Sequence, residues 1–83
     1  MGIEYKIKFN IQSREKLESS LERILQNVNI AEANIMPEFF VKLENDGFYF
    51  CDNGGDRPLV ADTFYRLVRE ALGQASEVII HEL

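Results

Sequence analysis

Two apolar runs flanking a turn signal constrain this chain more than any other feature. Phe39-Phe40-Val41-Lys42-Leu43 leads through Glu44-Asn45-Asp46-Gly47 into Phe48-Tyr49-Phe50-Cys51. Aromatic and β-branched residues favour strands, and Asn, Asp and Gly favour tight turns. The stretch predicts a β-hairpin, with arms from Glu38 to Glu44 and from Phe48 to Asp52. An isolated hairpin is at best marginal in water, so the rest of the chain must supply further strands and a cover.

Both are legible. Ile3, Tyr5, Ile7, Phe9 and Ile11 alternate with Glu4, Lys6, Lys8 and Asn10, a period of two that predicts a strand with its odd residues inward. Ser13 is an expected N-cap, with Glu15 in the first turn of the helix that follows. Leu17, Leu21, Ile24, Leu25 and Val28 form its apolar stripe. Asn27 and Asn29 bracket its expected end. Ile30 to Pro37 carries no clear pattern; Ile30, Ile35 and Met36 are expected to plug one end of the core. After the hairpin, Asp56 is an expected N-cap and Pro58 fits a first helical turn. Val60, Phe64, Leu67, Val68 and Ala71 form the second stripe, with Leu59 and Leu72 at its margins. Gly73 is the expected C′ residue of that helix. Glu77-Val78-Ile79-Ile80-His81 reads as a closing strand.

The expected order is thus β-α-β-β-α-β. Each helix has one apolar stripe, and the first strand has one apolar face. An α+β two-layer sandwich with both helices on one face satisfies this. Right-handed crossovers then predict the ferredoxin-like arrangement, an antiparallel sheet of order 4-1-3-2. With 83 residues, positions 1–83 are read as a single domain, and 46% hydrophobic content is enough for a core. No apolar run is long enough for a membrane span, and the first residues lack the apolar core of a signal peptide. Cys51 is the single cysteine, so no intrachain disulfide is expected and a cytoplasmic location is the simpler reading. A net charge of −5 works against bulk attraction to nucleic acid or anionic lipid.

The function turns on which way the hairpin aromatics point. A two-residue or four-residue turn puts Phe48 and Phe50 on the face of Phe39, Val41 and Leu43, inside the core. A three-residue turn, Asn45-Asp46-Gly47 with a bulge glycine, puts them on the opposite face. The letters Glu-Asn-Asp-Gly favour the bulge. In that register an open sheet face carries Lys6, Lys8, Phe40, Lys42, Phe48 and Phe50, which are the expected binding residues. Such a patch suits another protein, or a second copy of the chain, as its cover.

Gly47-Phe48-Tyr49-Phe50-Cys51 also resembles the core of the third-strand motif of RNA-recognition-motif domains, which share the element order. The resemblance implies single-stranded nucleic-acid binding, with Phe48 and Phe50 as stacking rings. The sequence departs from the motif at Asp46, where the family has Lys or Arg, and at Asn53, where it has a third aromatic. Lys6 and Lys8 stand where its first strand offers an aromatic. Small ferredoxin-like domains that sense amino acids share the order too, and by fold analogy suggest a small-ligand regulatory module.

Other chemistry is sparse. Cys51 and His81 are separated by the first strand in the expected sheet, roughly 10 Å apart from two strand spacings, too far for a nucleophile and its base. Asp52-Asn53-Gly54-Gly55-Asp56 lacks the spacing of a calcium loop, and two aspartates disfavour a phosphate there. Glu15, Glu18, Glu22 and Glu32 are interspersed with Arg14, Lys16 and Arg23 and read as a solvated helix face. The expectation is a non-catalytic protein, without metal or cofactor, that acts by protein association through its open sheet face or strand edges.

Overall fold

The computed structural model describes residues 2–26, 39–54 and 57–83. They form β1 (Ile3–Phe9), α1 (Arg14–Gln26), β2 (Phe39–Glu44), β3 (Gly47–Asp52), α2 (Arg57–Gln74) and β4 (Val78–Glu82). The fold is α+β, a four-stranded antiparallel sheet with two helices, consistent with a two-layer sandwich. The strand order is β2-β3-β1-β4, so β1 and β3 are central and β2 and β4 are the edges. The expected cap at Asp56, the helix end at Asn27 and Asn29, the stripe residue Val28 and the plug of Ile30, Ile35 and Met36 lie outside the described residues.

One core joins the inward residues of the sheet to both helices. Ile7, Phe9, Phe39, Phe48 and Phe50 meet Leu17 and Ile24 of α1 and Val60, Leu67 and Ala71 of α2. Rings tie the layers together. Phe39 stacks on Phe50 at 5.6 Å, and Phe50 and Tyr5 each meet the Phe64 edge or face at 5.3 Å. Phe9 lies against Phe48 at 5.6 Å.

The hairpin departs from the bulge register. Glu44 pairs with Gly47, Leu43 with Phe48 and Val41 with Phe50, which leaves a two-residue turn at Asn45-Asp46. Phe48 is 0% exposed and Phe50 is 1% exposed, so both belong to the core and not to the open face. Burial decides this. Each phenylalanine gains about 1.5–3 kcal/mol from leaving water, while the other register would bury the Tyr49 phenol and turn both rings out. The glycine still matters. Gly47 has φ 150°, and a Cβ there would lie 1.9 Å from the Ile7 carbonyl oxygen. Phe9 N donates to Asp46 O at 3.0 Å beside it.

Gly73 also differs from expectation. It lies inside α2, which continues to Gln74, and Ala75 N still donates to Ala71 O at 3.0 Å. Carrying the helix through Gly73 to Gln74 places Gln74 against the loop between β1 and α1. Its Oε1 accepts from Gln12 N at 2.8 Å and Ser13 N at 2.7 Å, and its Nε2 donates to Ser13 O at 3.1 Å. Ser13 Oγ accepts from Lys16 N at 3.3 Å, the expected N-cap contact. The second helix is therefore stitched to the start of the first. A C′ glycine would have ended α2 before Gln74 could reach.

Candidate functional site

The side of the sheet away from the core is a lattice whose rows follow from the pairing. One row runs Phe40, Cys51, Glu4; the next Lys42, Tyr49, Lys6, His81; the third Glu44, Gly47, Lys8, Ile79. No described element covers this side. Four expected site residues, Lys6, Lys8, Phe40 and Lys42, share this face; Phe48 and Phe50 do not. The aromatic patch flanked by lysines is therefore not assembled, and the two rings offer no stacking surface to a base.

Much of the lattice is satisfied internally. Lys6 of β1 reaches past β3 and pairs with Glu44 of β2 and with Asp46 of the turn, the latter at 2.6 Å. Hydrogen bonds to Asp46 and then Glu44 raise the Lys6 ammonium above its usual value. The Lys6 contact likewise holds the Asp46 carboxyl below the usual carboxylate range. Tyr49 donates to Glu4 Oε1 at 2.6 Å, and that acceptor raises the phenol well above its usual value. Lys6 and Tyr49 thus fasten the three strands β1, β2 and β3 across their outer face. Lys8 and Lys42 remain exposed.

Ile3 of β1 and Tyr65 and Leu72 of α2 are exposed, and apolar residues are also exposed at both edges of the sheet. Phe40, 50% exposed, leans edge-on against Tyr49 at 6.1 Å near the β2 edge. At the opposite edge Ile79 and Ile80 of β4 are each 47% exposed, one on each face of the sheet, with Leu83 exposed beyond them. The two edges differ in their backbone. At the end of β2, Arg14 of α1 donates to the Glu44 carbonyl at 3.0 Å and the Leu43 carbonyl at 3.2 Å. β4 has β1 on one side and, among the described residues, no strand on the other.

The direction of its backbone groups follows from the ladder. Leu83 N donates to Glu4 O at 2.8 Å. Hydrogen-bonding pairs alternate in an antiparallel ladder, so His81 and Ile79 also turn their backbone groups to β1. Val78, Ile80 and Glu82 turn theirs outward. Sequence reasoning placed this strand but not its polarity. That needed the strand order together with the parity of each pairing.

Cys51 is half-buried, with Sγ 3.3 Å from Asn53 Oδ1, and β1 lies between it and His81. In the loop after β3, Gly54 N donates to Asp52 Oδ1 at 2.8 Å, so that carboxylate shapes the turn. Among the described residues no group of three His, Cys, Asp or Glu side chains could hold a metal ion. No described helix is long and apolar enough to cross a membrane. No family model, curated protein or solved structure matches the chain.

Proposed function

We propose that this chain is a non-catalytic, cytoplasmic association module of ferredoxin-like topology, which docks a protein through the open face or the strand edges of its sheet. The all-antiparallel order β2-β3-β1-β4 supports the topology. A lone half-buried cysteine supports a reducing compartment. The observation that carries the function is the side of the sheet left uncovered by the described residues, with Phe40 and Ile79 exposed on it at opposite margins and Ile80 exposed at the same β4 edge on the other face. Small domains do not usually leave a strand edge flanked by isoleucines without protection or use. The polar middle of the lattice fits the rim-like, hydrogen-bonding part of a contact, and the apolar margins fit its anchors.

A photo-crosslinking scan tests this. A photoreactive phenylalanine analogue is placed at Phe40, Lys42 or Ile79, and as controls at Glu22 or Tyr65 on the helices. The reading expects adducts in cells from the sheet positions and not from the helix positions. Adducts from the helix positions alone, or from none of the five, contradict it.

A further inference from the structure

We propose that two copies of this chain join by antiparallel pairing of their β4 strands, in a two-fold arrangement centred on Ile80. This rests on the association reading above and names its partner. The backbone is ready for it. Val78, Ile80 and Glu82 direct their N–H and C=O groups away from β1, and a second β4 presents the same groups in the complementary order. β4 is short and ends in Glu82, but other protections are absent among the described residues. Between Val78 and Glu82 there is no lysine, no proline and no break in the pairing to β1. The β2 edge is a poorer template, because Arg14 occupies the outward Leu43 carbonyl at its end.

The strand is complementary to itself. With Ile80 opposite Ile80 of the second copy, Ile79 faces His81, Val78 faces Glu82, and Glu77 faces Leu83. No two like charges are opposed, which is a requirement for an isologous contact. Ile80 also lines a shallow, mostly apolar pocket with Tyr5, Phe50, Val60 and Phe64, which also has Asp52 in its wall. Pairing sets the second Ile80 at the pocket mouth and removes Ile79 and Ile80 from water together. The result is a continuous sheet of twice the width, with the two open faces side by side.

Net charge sets the salt response that separates a second copy from a basic partner. Each copy carries −5, so two copies repel at long range, and salt should strengthen their association. A basic partner strand would be held less tightly as salt rises.

Sedimentation over a range of concentrations and salt tests the proposal, with Ile80→Pro, Ile80→Lys and Phe40→Lys beside the natural chain. The Ile80 N–H points away from β1, so proline there removes no bond within the sheet. Circular dichroism checks that each variant keeps its fold, and Ile80→Lys serves if the proline variant does not. The expected result is a mass rising from 9.6 kDa to twice that value, more readily at high salt. The Ile80 variants should raise the dissociation constant by roughly a hundredfold, and Phe40→Lys should leave it unchanged. A natural chain that stays at the single-chain mass throughout overturns the inference, while the crosslinking scan still judges the association reading separately. A dimer that survives both Ile80 variants but is lost in Phe40→Lys also overturns it and moves the contact to the open face.

Discussion

Replacing Gly47 by alanine tests the hairpin register at its tightest point. The new Cβ would lie 1.9 Å from the Ile7 oxygen, 2.9 Å from its carbonyl carbon and 3.0 Å from the Lys8 Cα. A carbon-to-oxygen contact needs roughly 3.3 Å, so β1 and β3 must part by about 1.4 Å locally. Backbone hydrogen bonds tolerate only a few tenths of that, and the Phe9-to-Asp46 bond is the nearest to fail. A lost buried bond costs about 1–3 kcal/mol, and holding alanine at a φ of 150° adds about 1–3 kcal/mol. The sum, about 2–6 kcal/mol, is a large share of the roughly 4–12 kcal/mol expected for 83 residues. Thermal melts followed by circular dichroism should show a midpoint lower by at least about 8 °C. Gly73→Ala is the internal comparison. No atom lies within 4 Å of a Cβ there, and the residue is helical, so the change should stabilise by about 0.5–1 kcal/mol. If Gly47→Ala melts with the natural chain, the two-residue register is wrong. If Gly73→Ala destabilises, α2 ends earlier than described.

Phe50→Ala, at a site 1% exposed, should cost about 3–5 kcal/mol in chemical denaturation, whereas a surface ring would cost almost nothing. Gln74→Ala should cost about 1–3 kcal/mol and speed amide exchange at Gln12 and Ser13, because three hydrogen bonds to that loop disappear. Asp46 has its carboxyl lowered by Lys6, so its contribution is present above the ordinary carboxylate value and is lost as pH falls through the lowered one. Asp46 is half exposed, which limits that contribution to at most about 1 kcal/mol; Asp46→Asn should flatten the acid limb of a stability–pH curve by no more than this. Glu4→Gln should bring Tyr49 ionisation, read by ultraviolet titration, down toward the usual phenol range.

The elements were readable because their apolar periods are clean. Alternation from Ile3 to Phe9 and the stripe from Leu17 to Ile24 leave one choice of structure each. The hairpin register was not readable from turn letters. Glu44-Asn45-Asp46-Gly47 favours the bulge only by turn chemistry, and the choice was made by where Phe48 and Phe50 could be buried, a tertiary effect. Gly73 misleads for a related reason: a glycine near a helix end suggests a stop, but the Gln74 clasp makes the longer helix worth keeping. The cross-strand contacts of Lys6 and Tyr49 were hidden because they depend on that register. Of the expected binding residues, Lys6, Lys8, Phe40 and Lys42 were placed on the open face by alternation alone. The edge that β4 presents among the described residues required both the strand order and the parity of its ladder.

Amide exchange along β4 addresses the bare edge most directly. Ile79 and His81 should exchange slowly at every concentration, because their N–H groups face β1. Val78, Ile80 and Glu82 should exchange fast in dilute solution and slow down as the protein is concentrated. Fast exchange at Ile80 in the most concentrated sample, or slow exchange there in the most dilute, would contradict an edge that is open and waiting for a strand.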